Sequence, residues 1–312
     1  MTKLVLSTGN VMSAGGPSII RRPGNTAKSN TELISALRDH LAAARLDYAL
    51  RSPITNGVAL ASAPPLAPAH SWIERDGKVW FVPRISWGAA GLRDEVSQYE
   101  ITVKLFLLPG TPVAEREQYA REALALVSRK LGVRTIDLLV VSFPGMSFQG
   151  NCEWEADKMN GQQGSLEDQV KTWAVFEELH RQGIVRRLGV AEFGSERLAE
   201  FIRRTTIRPV VDQINLRDCC NVPPPLKKLA GEEGIELNVH TDCTDVLPHG
   251  TLRELLGHGP QGAGVLEDVA NKGAGLRGDI SPQWVARYVA FIRDRGVVEN
   301  KGYFAGAKLA GA

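Results

Sequence analysis

Short apolar runs and amphipathic stretches alternate along the chain from about residue 100 onward. EITVKLFLL (100–108) reads as a buried strand, broken only by one lysine. TPVAEREQYAREALALVSRKLG follows, with Pro112 suited to a first helical turn and Gly132 to the stop. Ala120, Leu124, Val127 and Leu131 give that helix a single apolar face. IDLLVVS (136–142) is the next strand, opening through Ser142 into Phe143 and Pro144. Ser165 and Asp168 then form the capping-box start of a helix whose buried stripe is Leu166, Val170, Trp173 and Phe176, ending before Gly183.

The rhythm continues through strand VRRLGV (185–190), helix SERLAEFIRR (195–204) and strand PVVDQINL (209–216). A helix entered through prolines 223–225 leads to strand IELNVH (235–240). The last unit reads as a helix from Ser281–Pro282, carrying Val285, Tyr288, Val289 and Ile292, then strand GVVEN (296–300). With strand KLVLST (3–8) and helix SNTELISALRDHLAAA (29–44) in front, the pattern implies right-handed βαβ units and a parallel sheet. A single α/β domain over residues 1–312, closed as a (β/α)8 barrel, accounts for the count better than an open dinucleotide-binding sheet. Two stretches break the pattern as insertions, near 52–98 and 257–279. The first is an Ala- and Pro-rich connection at its start, and the second is glycine-rich and reads as mobile.

Composition narrows the function classes. At 312 residues, 43% hydrophobic and 23% charged, the chain is that of a soluble globular protein with a full core. A net charge of +2 gives no reason to expect nucleic acid or an anionic membrane as partner. The opening MTKLVLSTGN lacks the apolar run of a secretory signal, so the cytoplasm is the expected location. The four cysteines (152, 219, 220 and 243) contain no CxxC pair, which argues for reduced thiols and against a zinc site. GAG at 262–264 and 273–275 lacks the strand and helix that a nucleotide loop requires. HTDCTD (240–245) reads as a turn-forming loop after its strand rather than a metal site. The pairs Arg186–Arg187 and Arg203–Arg204 read as solvated charges at element ends.

Two polar positions inside buried strands change this picture. Lys104 must face a polar interior or pair with an acid, and either catalysis or a structural ion pair would meet that need. Gln213 and Asn215 share one face of their strand, where amides suit a small ligand or a satisfied core network.

Lys104, Ser142, GIVRRLGVAEF (183–193) and VVDQINL (210–216) resemble the aldo-keto reductase superfamily. That resemblance implies a barrel in which a tyrosine acid, aided by an aspartate, a lysine and a histidine, uses hydride from NADPH. Lys104 matches the lysine, but Ser142 stands in the histidine's place, and Asp47 and Tyr48 are adjacent on a helix end. Ala191–Glu192 replaces the Ser-Asn pair that holds the nicotinamide amide, while Gln213 matches the third amide ligand and Lys301 lies near a phosphate-binding lysine. What remains implies no required cofactor and at most weak NADPH binding through Lys104, Gln213 and Lys301.

Further blocks, STGNVMS (7–13), DQINLRDCCNVPPPL (212–226), IELNVHTDCTDVL (235–247) and RGVVENKGYFAGAKL (295–309), are similar to the family of glutamate–cysteine ligase regulatory (modifier) subunits. This resemblance implies a non-catalytic chain that binds the ligase catalytic subunit, improves its use of glutamate and relieves inhibition by glutathione. The expected partner face is the loop with Asp218, Cys219, Cys220 and Asn221, together with a C-terminal tail anchored by Tyr303 and Phe304. The alternatives are an NADPH-dependent reductase with a rearranged active site and a nicotinamide-sensing scaffold.

Overall fold

In chain order the elements are β1 (Thr2–Ser7), α1 (Thr31–Arg51), α2 (Ala69–Trp72), β2 (Glu74–Asp76), β3 (Val79–Val82), β4 (Tyr99–Leu107), α3 (Arg116–Leu131), β5 (Ile136–Ser142) and α4 (Glu153–Gly161). They continue with α5 (Leu166–Arg181), β6 (Val185–Ala191), α6 (Ser195–Arg204), β7 (Val211–Asn215), α7 (Pro224–Glu233), β8 (Glu236–His240), α8 (Thr251–Leu256), β9 (Asp279–Ile292) and β10 (Val297–Ala310). The computed structural model describes residues 2–12, 30–51, 69–89, 91–148, 150, 152–215, 221–242, 245–267 and 275–311.

From β4 to β8 the strands pair in parallel and in sequence order, each joined to the next through a helix. The local chemistry is the one read from the pattern. Gly132 ends α3 in the left-handed region at φ 69, and the Ser165 hydroxyl accepts the Asp168 amide at 3.2 Å to start α5. Ala120, Leu124, Val127 and Leu131 are all buried in the core where α3 meets β4, β9 and β10, with Trp173, Phe176 and Phe201 in the same cluster.

The C-terminal region departs from expectation. The helix expected from Ser281–Pro282 is instead β9, and the strand expected at 296–300 extends to Ala310 as β10. The two form an antiparallel hairpin around Arg293–Gly296, with Gly296 at φ 65. β9 also pairs antiparallel with β4, so both of its edges are bonded. Apolar residues on both of its faces enter cores (Trp284, Ala286 and Tyr288 on one side, Val285 on the other), which hides the polar–apolar alternation of a one-sided strand. Trp284, Val285, Tyr288, Val289, Phe291 and Ile292 are β-formers whose i, i+3, i+4 spacing imitates a helix stripe. The region 52–98 likewise holds more than a connection. A β2–β3 hairpin turns at Gly77–Lys78, with Gly77 at φ 58, and β3 lies parallel to β1.

The strand order is β2-β3-β1-β10-β9-β4-β5-β6-β7-β8, so among the described residues the ladder runs between β2 and β8 as outer strands. Alternate residues feed opposite faces. Val5 and Phe304 join the core under α3, α5, α6 and α7, whereas Leu4, Leu6, Tyr303 and Ala305 join a second core with α1 and α8. No described helix is long and apolar enough to cross a membrane.

One close approach fixes the hairpin. Gly306 faces Trp284 across β9 and β10, and a Cβ there would lie 2.2 Å from the indole ring. Gly306→Ala should lower stability by about 1–3 kcal/mol, read as a reduced urea midpoint at unchanged slope. An unaltered midpoint would mean that the ring can move aside.

Candidate functional site

Lys104 projects from β4 on the face opposite Val103 and Leu105, and is 2% exposed. A buried ammonium requires a counter-charge. Asp242, just beyond β8, supplies it at 3.0 Å and takes Arg287 of β9 at 2.5 Å on its other oxygen. His240, the last residue of β8, reaches Glu192 through Nε2 at 2.8 Å, while its Nδ1 accepts the Asp242 amide at 3.0 Å. That amide leaves the ring proton on Nε2, pointing at Glu192. Asn215 ties the two halves together, donating to the Asp242 carbonyl at 2.8 Å.

Glu192 is itself an unusual residue. It follows β6 in the left-handed region at φ 65, where a side chain other than glycine carries strain, and it is 2% exposed. Its amide donates to the Gln213 carbonyl at 2.8 Å and its carbonyl accepts Asn160 of α4 at 2.7 Å. Asn160 also takes the Gly194 amide, and Asp157 takes the Ser195 amide and hydroxyl at the start of α6. The turn between β6 and α6 is thus clamped by α4.

The polar seam continues across the hairpin. Tyr303, the register partner of Arg287, donates its hydroxyl to Glu32 of α1 at 2.6 Å, and Lys301 pairs with the same carboxylate at 2.6 Å. Burial pushes the Asp242 carboxyl up, but Lys104 and Arg287 outweigh it and hold the group below the ordinary carboxylate range. Burial draws the Lys104 amine down, Asp242 raises it only in part, and Arg287 repels it further. Burial also pushes Tyr303 up, and pushes the wholly enclosed Asp212 carboxyl well above its usual value. The Lys301 and Tyr303 hydrogen bonds hold Glu32 down despite its burial.

Lys104, Gln213 and Lys301 therefore lie along one polar seam, but both lysines are committed to acids. Of the three, Gln213 keeps a buried side-chain oxygen without a hydrogen-bond partner. Ser142 sits 4% exposed at the end of β5, and Asp47 and Tyr48 are in the closing turns of α1, where Arg84 lies 5.8 Å over the Tyr48 ring. With Ala191 and the His240-bound Glu192 in place of an amide clamp, the described residues do not fit a nicotinamide cofactor.

Asp218, Cys219 and Cys220 of the expected partner loop lie outside the described residues, whereas Asn221 is exposed ahead of α7. The expected tail is strand β10, with Tyr303 4% and Phe304 0% exposed, so neither is presented to a partner: alternate β10 side chains enter the two cores. Sequence reasoning missed Glu32 and Arg287, noted Glu192 only as the loss of an amide ligand, and read His240 and Asp242 only as part of a turn-forming loop. One signal was available, since Arg287 interrupts an apolar run just as Lys104 does. No described cluster of His, Cys, Asp and Glu has metal-binding geometry.

A family model described as "Aldo/keto reductase family" matches residues 86–262, more than half of the chain. The chain belongs to the aldo/keto reductase family. The expected α/β, aldo-keto reductase-like class is therefore the right one. Within the family, the chain is similar to the glutamate–cysteine ligase regulatory subunit of Mus musculus, at 24% identity over 219 residues, 70% of each chain. It is similar to a putative glutamate–cysteine ligase regulatory subunit of Schizosaccharomyces pombe, at 28% identity over 216 residues, 66% of this chain and 70% of that one. Among solved structures, an aldo-keto reductase of Bombyx mori in complex with NADP aligns at 22% identity and a TM-score of 0.32, covering 45% of this chain and 40% of that one.

Proposed function

We propose that this chain is a non-catalytic regulatory subunit that binds the catalytic subunit of a glutamate–cysteine ligase in the cytoplasm, improves its use of glutamate and relieves glutathione inhibition. The observation that carries this reading is the Lys104–Asp242–Arg287 cluster, which ties the family's lysine into a buried ion network. Similarity to regulatory subunits from two organisms supports the same direction. In physical terms, a subunit that binds better to the high-affinity ligase conformation contributes a coupling free energy of about 1–3 kcal/mol, equal to roughly 5–150-fold in glutamate affinity.

Co-purification with the catalytic subunit, followed by glutamate kinetics with and without this chain, tests the proposal. The expected result is a stable complex with a lower apparent KM for glutamate and weaker glutathione inhibition. No association, or unchanged kinetics in a formed complex, would overturn it. The loop carrying Asp218 and Asn221 is the proposed contact. A folded variant with Asp218→Lys and Asn221→Arg should lose the effect on KM, and full retention would remove the loop from the interface.

A second reading, an NADPH-dependent reductase with a rearranged acid, draws on the family match and finds a foothold in Tyr303, which shares the seam with Arg287 and Asp242. Its hydroxyl is already donated to Glu32. We expect no oxidation of NADPH above background with aldehydes or ketones. Turnover that Lys104→Met or Tyr303→Phe abolishes would favour the reductase.

A further inference from the structure

Arg203 and Arg204 end α6, and the sequence continues Thr205-Thr206-Ile207 toward β7. Both arginines are exposed, and neither forms an ion pair among the described residues; with Leu166 and Glu200 they line an open surface groove. The helix stops abruptly here, with Thr205 extended at φ −111 and ψ 149. The two hydroxyls then differ. That of Thr205 donates to the Phe201 carbonyl at 3.0 Å, closing the helix, whereas Thr206 is exposed.

The backbone that presents Thr206 is pinned from below. Its amide and that of Ile207 both donate to the Glu177 carboxylate, at 2.7 and 2.9 Å, and the Ile207 carbonyl accepts the Trp173 indole at 2.7 Å. The result is a surface hydroxyl with guanidinium groups two and three residues before it and a branched apolar residue immediately after. Arginine-directed kinases read substrates by such charge placement, through carboxylates that face the upstream arginines.

We propose that Thr206 is a phosphorylation site for an arginine-directed serine/threonine protein kinase, with ATP as the phosphoryl donor. The Thr206 oxygen attacks the γ-phosphorus of ATP. One P–O bond forms there as the bond to the β–γ bridging oxygen breaks, ADP leaves, and the hydroxyl proton passes to the kinase's catalytic carboxylate. Because α6 ends at Arg204, only its last turn needs to fray to lay both arginines along an extended chain. The product would carry a charge of about −1.5 to −2 beside two guanidinium groups that form no ion pair among the described residues and that suit phosphate as bidentate donors. A basic patch on the helical layer would become close to neutral, reversibly. This site stands apart from the regulatory-subunit reading and does not depend on it.

The test incubates the full chain with Mg-ATP and the catalytic subunit of cyclic-AMP-dependent protein kinase, then maps the product by intact mass and peptide sequencing. A peptide spanning residues 201–210 runs in parallel. The expected product carries one phosphoryl group on Thr206. Thr206→Ala, and Arg203→Gln with Arg204→Gln, should each cut incorporation by about tenfold or more, whereas Thr205→Ala and Thr206→Ser should retain it. Urea midpoints establish that the variants remain folded. Phosphate mapped elsewhere, or incorporation unaffected by Thr206→Ala, overturns the proposal. So does an unmodified native chain, whether the peptide is modified (the fold withholds the site) or not (the motif is not read).

Discussion

Asp242→Asn should destabilise the protein by about 3–5 kcal/mol, the size expected when one partner of a buried ion pair is removed. The substitution keeps the shape of the side chain but leaves the buried Lys104, 2% exposed, and the half-buried Arg287 as two cations with one carboxylate fewer between them. Denaturant unfolding of both proteins at neutral pH measures the loss. Adding Lys104→Met should recover part of it, because the second change removes the stranded charge, and the two costs should fall short of additivity. The pH dependence has a definite sign. The folded-state pKa of Asp242 lies below its unfolded value, so its contribution is fully present above the ordinary aspartate pKa of about 3.9 and is lost as pH falls below that value. The parent should therefore lose stability more steeply in acid than the Asn variant. Equal midpoints at neutral pH and parallel acid profiles would mean that the cluster is solvated and carries no net energy.

Asn160→Ala is the second substitution with a large expected effect. Asn160 is 0% exposed and makes three hydrogen bonds at once, to the carbonyls of Ser147 and Glu192 at 2.7 Å and from the Gly194 amide at 2.6 Å. Alanine would leave two buried carbonyls and one amide without partners. At roughly 1–3 kcal/mol for each unsatisfied group, and with partial relaxation, the loss should be on the order of 4 kcal/mol. Amide hydrogen exchange at Gly194 and Ser195 should accelerate as the β6–α6 turn is released. A loss below about 1 kcal/mol would show that water replaces the amide and that α4 does not clamp the turn.

The parallel half of the sheet was legible because each connecting helix carries one apolar stripe and each strand a short β-rich run. The β9–β10 hairpin was not, because a strand covered on both faces loses its alternation, and its bulky residues happened to recur at helical spacing. The need for a partner at Lys104 followed from one cation in an apolar strand. The partner's identity did not, since Asp242 lies 138 residues away in a segment whose composition is that of a turn. Arg287 stayed hidden for the same reason as its strand: a residue assigned to a helix face cannot be placed opposite β4. Tyr303 and Phe304 read as surface anchors only as long as the residues after 300 read as a tail; within β10 they are buried.

The place of that hairpin in the sheet bears on the order in which the protein can assemble. β1 pairs with β10 in a register that sets Thr2 beside Leu309, and β9 alone bridges β10 to β4. During synthesis, β4 to β8 can collapse with their helices while residues 279–310 are still being made. β1, β2 and β3 can pair with one another, but the other edge of β1 stays open and nothing joins these strands to β4 until those residues arrive. Contacts of such sequence separation are slow to form, and the waiting edge of β4 is a site for misassembly in the interval. Ribosome-stalled chains ending before residue 279 should therefore protect β4–β8 from protease while leaving β1 open to cleavage, and the gap should close only when β10 has emerged.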